Sequence, residues 1–258
     1  MVTMIKWILM LGFGVLMAHG MANAQVNPTP AFGAASNSDP KRPFSSELEA
    51  GLKALERKHY STAMRAFKPL ADGGEPRAQN NMGILFERGW GVTQSYVEAM
   101  NWYRKAADQE LPEAQFNVAS LYHNGYGVEV NNSQAVFWLK KAAAQELADA
   151  QYLLGVLNLE GKGTRQDPVA AKSLFLRAAR KGHVQAQFMA GYLLLNEDAG
   201  KPDLVGAHAW LLVAQGNGVP GTDDLLAFTT HRLKKPQIEL AVAMARRCRS
   251  SQYSDCPR

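Results

Sequence analysis

The chain is poor in cysteine, in charge of one sign and in long apolar runs, and each shortage narrows what it can be. Its two cysteines, Cys248 and Cys256, both fall in the last eleven residues. That excludes a scaffold built on disulfides. The spacing is not C-x-x-C and no histidine lies nearby, so a redox or metal pair is disfavoured. In an oxidising compartment such a pair bonds, pinning the C-terminal tail onto its helix. Lys and Arg number 28 against 23 Asp and Glu, a net charge of +5. The charges are mixed along the chain with no basic block, which is not a nucleic-acid footprint. A mildly basic surface of this kind favours acidic partners or an anionic envelope. Catalytic signatures are missing too: there is no G-x-S-x-G, H-E-x-x-H, Walker loop or Rossmann fingerprint. Gly161-Lys162-Gly163-Thr164 lacks phosphate-loop spacing. Ser38-Asp39-Pro40-Lys41 matches S-x-x-K in form only, because Pro40 prevents the helix that would set serine and lysine on one face. His19, His59, His123, His183, His208 and His231 show no ligand spacing. Neither a metal site nor a cofactor is expected.

The one marked apolar run lies at the start. Lys6 supplies a positive region, Trp7 to Met17 an apolar stretch too short to span a bilayer comfortably, and Ala22-Asn23-Ala24 a small-x-small site. Residues 1–24 therefore read as a secretory signal, cut before Gln25. No cysteine follows the apolar stretch, so a lipid anchor is not expected. Without Lys6 the net charge falls from +5 to about +4. Residues 25–44, with Pro28, Pro30, Pro40 and Pro43, read as a flexible leader that cannot build a core. The expectation is an exported protein, most simply periplasmic, with no membrane span after cleavage.

What the chain does have is a period of 36 residues, sustained over four units without insertion or deletion. Ala78-Gln79 recurs as Ala114-Gln115, Ala150-Gln151 and Ala186-Gln187. Gly83, Gly155 and Gly191 share a register, with Ala119 in the second unit. G-x-G appears as Gly89/Gly91, Gly125/Gly127 and Gly161/Gly163. Ala99, Ala135, Ala171 and Ala207 follow, and then Trp102, Trp138, Leu174 and Trp210. A period of this length marks a solenoid, in which each unit buries its apolar face only by stacking on the next.

Within the second unit, Pro112 suits a first helical turn. Ala114, Val118, Leu121 and Tyr122 fall at helical spacing as one buried stripe. Small residues at the Gly83 register let a unit's two helices approach closely. The glycine after Asn124 ends the first helix in the left-handed conformation. Asn131 and its equivalents Ser95, Asp167 and Asp203 are all N-cap formers for the second. That helix turns Ala135, Trp138 and Ala142 inward and leaves Lys140 and Lys141 to solvent. Helices over 45–57 and 60–73 form a preceding hairpin whose loop is four residues shorter. In the fourth unit Glu197 and Ala199 replace the loop glycines, so that loop differs in shape. Leu225 to Leu233 and Ile238 to Arg247 read as a final helical pair capping the stack. The boundaries are thus 45–75 for the hairpin, 76–111, 112–147, 148–183 and 184–218 for the units, and 219–258 for the cap.

The strings AQNNMGILFERGWGV, AQFNVASLYHNGYGV and AQYLLGVLNLEGKGT, each followed by a capped second helix ending in Ala-Ala, resemble Sel1-like repeats. These are longer-looped relatives of tetratricopeptide repeats. The resemblance is strong over about residues 76 to 216. It implies an all-α fold, a right-handed α-solenoid whose concave face binds proteins or peptides. It further implies a non-catalytic adaptor, and for exported bacterial members a role in the cell envelope. Some secreted relatives are described as penicillin-binding or weak β-lactamases. Those carry a cysteine pair in nearly every repeat, and here the repeats have none. That activity, and the binding or regulation of peptidoglycan enzymes, stand as the alternatives.

By register to the tetratricopeptide pattern, the concave surface takes Asn80, Asn81, Phe116, Asn117, Ser120, Tyr152, Val156, Phe188 and Tyr192. Phe116, Tyr152 and Phe188 lie 36 residues apart. They make either a row of aromatic anchors or a packing position between units. Asn81 and Asn117 are one repeat apart. Each offers two donors and an acceptor to an extended main chain, or else bonds across neighbouring helices.

Overall fold

The computed structural model describes residues 45–257. The signal-like segment 1–24, the leader over 25–44 and the Ser38–Lys41 motif lie outside the described residues. Among the described residues there are twelve α-helices, one 3₁₀ turn and no strand. The N-terminal hairpin is α1 (Ser46–Glu56) and α2 (Tyr60–Asp72). The four units pair α3 (Pro76–Arg88) with α4 (Tyr96–Ala107), α5 (Pro112–Asn124) with α6 (Asn132–Ala144), α7 (Ala148–Glu160) with α8 (Pro168–Arg180), and α9 (Val184–Leu193) with α10 (Leu204–Gly216). The chain closes with α11 (Thr222–Thr230) and α12 (Lys235–Ser250). From α1 to α10 each helix packs on its neighbour in sequence, as a solenoid requires.

Local chemistry sets these boundaries. The side chains of Ser95, Asn131, Asp167 and Asp203 accept the backbone N–H of Glu98, Gln134, Ala170 and Gly206, capping all four second helices. Gly89, Gly125 and Gly161 end the first helices at φ of 65°, 73° and 70°, a conformation glycine adopts without a Cβ clash. The fourth unit lacks this glycine pair. There Glu197–Ala199 form the 3₁₀ turn, and the Ala199 carbonyl accepts from Lys172 Nζ of α8.

A small residue faces a large one inside each unit. A Cβ built at Gly83 would meet Tyr103 Cδ1 at 2.5 Å, one at Gly155 would meet Phe175 Cε1 at 2.8 Å, and one at Gly191 would meet Leu211 Cγ at 2.9 Å. In the second unit this register holds Ala119, and the residue twenty positions on is Leu139. Both are fully buried. The added methyl and the smaller partner go together, which keeps the helix pair at interior packing density.

The C-terminal elements differ from the sequence expectation in two ways. First, α11 begins at Thr222 rather than Leu225, because Gly221 takes φ of 78° just before it and the buried Thr222 hydroxyl donates to Val219 O. Likewise α12 begins at Lys235, with Pro236 in its first turn, and runs on to Ser250. Second, the two are not a hairpin of the kind found in the units, since both pack on α10. Leu226 of α11 joins Phe188, Leu211 and Ala214 in one apolar cluster. His208 of α10 and Thr229 of α11 meet at 2.6 Å, both buried. Ala241, Ala245 and Cys248 of α12 enter the cluster containing Trp210 and Val213. The disulfide joins Cys248 to Cys256. It returns the tail to the stack, where Arg180 Nη2 donates to Pro257 O at 3.0 Å and Tyr253 Oη lies 3.1 Å from Asn217 Nδ2.

Candidate binding face and the joints between units

The nine candidate residues all lie on the first helices α3, α5, α7 and α9, but they meet different fates. Asn80 is buried, and its Oδ1 accepts from Asn117 Nδ2 at 2.9 Å, tying α3 to α5. Asn81 instead donates to Arg77 O, four residues back in its own helix, at 2.9 Å. Asn81 and Asn117 therefore share a register without sharing a role. The bonded pair is Asn80–Asn117, because the Asn80 register of α5 holds Phe116. Ser120 is buried and its hydroxyl has no partner.

The aromatic row does not present three open faces. Phe116 keeps 8% of its surface exposed and Phe188 keeps 7%. Phe116 belongs to the central core, and Phe188 lies with Leu226 of α11. Tyr152 is half-buried. Its ring stacks on His183 with centroids 4.4 Å apart and tilts against Phe175 at 5.6 Å. The position is a packing position: Phe116 lies in the central core, Tyr152 is covered by Phe175 and by His183 at the N-cap of α9, and Phe188 by Leu226 of the cap. Val156 is buried in the core and Tyr192 is half-buried. Burial pushes the phenols of Tyr152 and Tyr192 upward, with Glu160 and Asp198 adding to the effect.

One further residue on this face was not read from the sequence. Glu113 sits in the first turn of α5, and its Oε2 is buried with no hydrogen-bond partner. Burial raises its pKa, a shift that a backbone hydrogen bond and Arg77 only partly offset. The face of α3 and α5 thus gathers Asn80, Asn81, Glu113, Asn117 and Ser120, with polar atoms withdrawn from water and not all paired. Interior groups in that condition cost roughly 1–3 kcal/mol each unless something satisfies them.

The recurrent Ala-Gln carries a second feature that periodicity alone did not explain. Gln79, Gln115, Gln151 and Gln187 are all buried. The first three donate Nε2 to Ala71 O, Ala107 O and Ala143 O, at 3.1, 3.3 and 3.4 Å, in the last turn of the preceding helix. In units one, two and four the Oε1 atom accepts from an amide just past the end of the same unit's second helix. Gln109 reaches Gln79 at 2.8 Å, Gln145 reaches Gln115 at 3.0 Å and Asn217 reaches Gln187 at 2.7 Å. In the third unit that place is Lys181. Its ammonium pairs with Glu146 at 3.3 Å, alongside Arg177, and Gln151 Oε1 is left buried without a partner. The sequence signal was a polar residue repeated on a buried stripe. Burial of an amide demands a partner, so its recurrence predicts a repeated bond.

The second glycine of each G-x-G is a joint as well. A Cβ at Gly127 would lie 2.7 Å from Tyr96 Cβ and 2.9 Å from Val97 N, and Gly91 approaches Tyr60 and Ser61 in the same way. Each loop is pressed on the first turn of the preceding second helix. Beside these contacts Tyr60 stacks on Trp90 at 4.8 Å and Tyr96 on Tyr126 at 4.9 Å.

The Sel1 repeat profile matches residues 76–111, 112–147, 148–183 and 184–214, which is more than half of the chain. The chain belongs to the Sel1 repeat family. A Sel1 repeat protein from Oxalobacter formigenes, of known crystal structure, is 32% identical over 70% of this chain and 74% of that one, with a TM-score of 0.66. A protective antigen of uropathogenic Escherichia coli strains, c5321, which displays an SLR fold, shares the architecture. It is 24% identical, with a TM-score of 0.52 over 81% of this chain and 53% of the other. No curated protein matches the chain. Sel1 repeat proteins are helical repeat scaffolds, generally non-enzymatic, that mediate protein–protein interactions. Among the described residues no helix is long and apolar enough to cross a membrane, and no group of three or more His, Cys, Asp or Glu is placed to hold a metal.

Proposed function

We propose that this Sel1 repeat protein is a non-catalytic scaffold of the bacterial cell envelope that holds a peptide or protein segment on the face of its first helices. The observation that carries the reading is the set of withdrawn polar atoms on α3 and α5: the Asn80–Asn117 pair, the unpartnered Ser120 hydroxyl and the buried Glu113 carboxyl. A passing main chain supplies both N–H donors and C=O acceptors, the two kinds of group such atoms lack. The contact region then lies in units one and two. Phe116 supports it from inside, and Val156 and Phe188 are core residues of units three and four. The envelope assignment rests on the signal-like sequence over 1–24 and on the oxidised cysteine pair.

The test is a cross-linked pull-down with the mature protein from an envelope extract of its own cell, run beside Asn81→Ala/Asn117→Ala/Ser120→Ala. One dominant protein partner, lost with the triple variant while the helical signal is unchanged, is the expected result. Capture that is indifferent to the variant would remove the face from the function. Nitrocefin turnover abolished by a single substitution would overturn the non-catalytic reading.

A further inference from the structure

A cleft of about 330 Å³ opens where α12 crosses the end of α10, far from the face described above in sequence and in unit. Its walls are Leu212, Gln215 and Gly216 of α10 and Val242, Ala245, Arg246 and Arg249 of α12, with the Gln215 amide held by Asp223 Oδ1 at 2.7 Å. We propose that this cleft is a second contact site of the protein, one that takes a carboxylate flanked by a small aliphatic side chain on a polypeptide partner. The inference goes beyond the groove and uses none of its residues.

Three observations carry it. First, Arg246 and Arg249 stand one turn apart, so both guanidinium groups reach the same side of α12. Neither makes a hydrogen bond or ion pair among the described residues; the one pair formed by this run of arginines joins Arg247 to Asp255. The end of α10 presents roughly half a negative charge, too little to balance two cations. A planar fork of donors with no acceptor is the side chain best matched to a carboxylate.

Second, the opposite wall makes room. A Cβ on Gly216 would collide with Arg249 Nη1, so the guanidinium lies across bare backbone and any other residue there would displace it. Third, the lining breaks the repeat. At the Gln215 register the other units and the hairpin have Ala71, Ala107, Ala143 and Ala179, all buried. At the Gly216 register they have Asp72, Asp108, Ala144 and Arg180. The first two would place a carboxylate against Arg249, and the last a like charge. Gly216 thus leaves Arg249 with neither a paired nor a repelling side chain at that register. Apart from Gln215 the remaining wall is apolar, with Val242 38% exposed, which selects an aliphatic neighbour for the carboxylate over a bare inorganic ion.

The test is NMR titration of the isotope-labelled mature protein with N-acetyl-Ala-Leu-Val carrying a free carboxylate, with its C-terminal amide and with inorganic phosphate. The expected result is a saturable shift of the Gly216 and Val242 amide signals with the acid. The amide form, and the acid on Arg246→Gln/Arg249→Gln, should each bind at least about tenfold more weakly, the scale of one lost charge-assisted hydrogen bond. Asn81→Ala/Asn117→Ala/Ser120→Ala should bind the acid unchanged, which separates this site from the groove. Equal binding of acid and amide, no shift at Gly216 and Val242, or phosphate binding as tightly as the peptide would each overturn the proposal.

Discussion

The pairing of a small residue with a large one inside each unit makes a sharp prediction about the third. Gly155 faces Phe175, which is fully buried, and an added Cβ would sit 2.8 Å from the ring. Gly155→Ala gains about 1 kcal/mol of helix propensity but overpacks the joint, at roughly 1–3 kcal/mol or somewhat more given the close approach. The net loss should be about 1–2 kcal/mol. Phe175→Leu alone leaves a cavity and should cost about 1.5 kcal/mol, below the range for full truncation to alanine. The double variant reproduces Ala119 opposite Leu139, a combination the second unit already packs with both residues fully buried. It should lie within about 0.5 kcal/mol of the parent, a favourable coupling of roughly 2–3 kcal/mol. The assay is urea unfolding of all four proteins, followed by far-UV circular dichroism and by tryptophan fluorescence together, since a solenoid need not unfold in one step. Additive losses in the double variant would show that the glycine and the ring are not one steric unit, and the reasoning would fail.

Lys181→Gln should supply the amide that Gln151 Oε1 lacks. It should stabilise the protein by about 1 kcal/mol, the return on a satisfied buried carbonyl less a half-exposed ion pair, read as a raised urea midpoint. Conversely, Gln115→Leu removes the bonds to Ala107 O and from Gln145 Nε2, each of which keeps one partner in Glu110 N and Glu110 O respectively, and should cost about 1 kcal/mol in the same assay. Cys248→Ser/Cys256→Ser opens a loop of sequence separation 8, for which chain entropy gives about 2.5 kcal/mol. Limited proteolysis should then cut within 251–257 before it cuts the units, and an unchanged cleavage pattern would show that the docked tail needs no bond. Glu113 is an acid whose folded pKa lies above its ordinary 4.5. Its share of stability is therefore full below that value and is lost as pH rises through the raised one. Glu113→Gln should melt higher than the parent at neutral pH, and the gap should close as pH falls toward 4.5. A gap that widened on acidification would reverse the sign and sink the argument.

Most of the frame was legible because it rests on local rules. Ser95, Asn131, Asp167 and Asp203 announce helix starts, and Gly89, Gly125 and Gly161 announce ends, through chemistry confined to a few residues. The candidate face was less legible, because exposure on a first helix is decided by contacts from outside that helix. Phe116, Tyr152 and Phe188 were placed in the right register. Whether a ring at that register faces solvent depends on what stacks upon it, and each is covered to a different degree. Asn81 and Asn117 illustrate the same limit. Equal register gave unequal partners, since the neighbouring position is Asn80 in one helix and Phe116 in the other. The second glycine of G-x-G touches a turn about thirty residues earlier, a contact no local rule reports.

The same logic bears on the proposed contact face. Along the stack, the aromatic register of a first helix is sealed by packing, Phe116 in the central core and Tyr152 under Phe175 and His183. At the fourth unit nothing follows, and α11 takes over this task by setting Leu226 in one cluster with Phe188. The aromatic register is thus used up from unit two to the end, and Val156, the residue one turn on in α7, is buried as well. Among the described residues, α3 and α5 alone combine a buried amide, a hydroxyl without a partner and a carboxyl with one oxygen unpartnered. Those groups weaken the fold where they stand, by the measure that makes Lys181→Gln stabilising elsewhere. A partner that pairs them lifts that cost when it binds, so affinity on this face and local instability without a ligand have one origin.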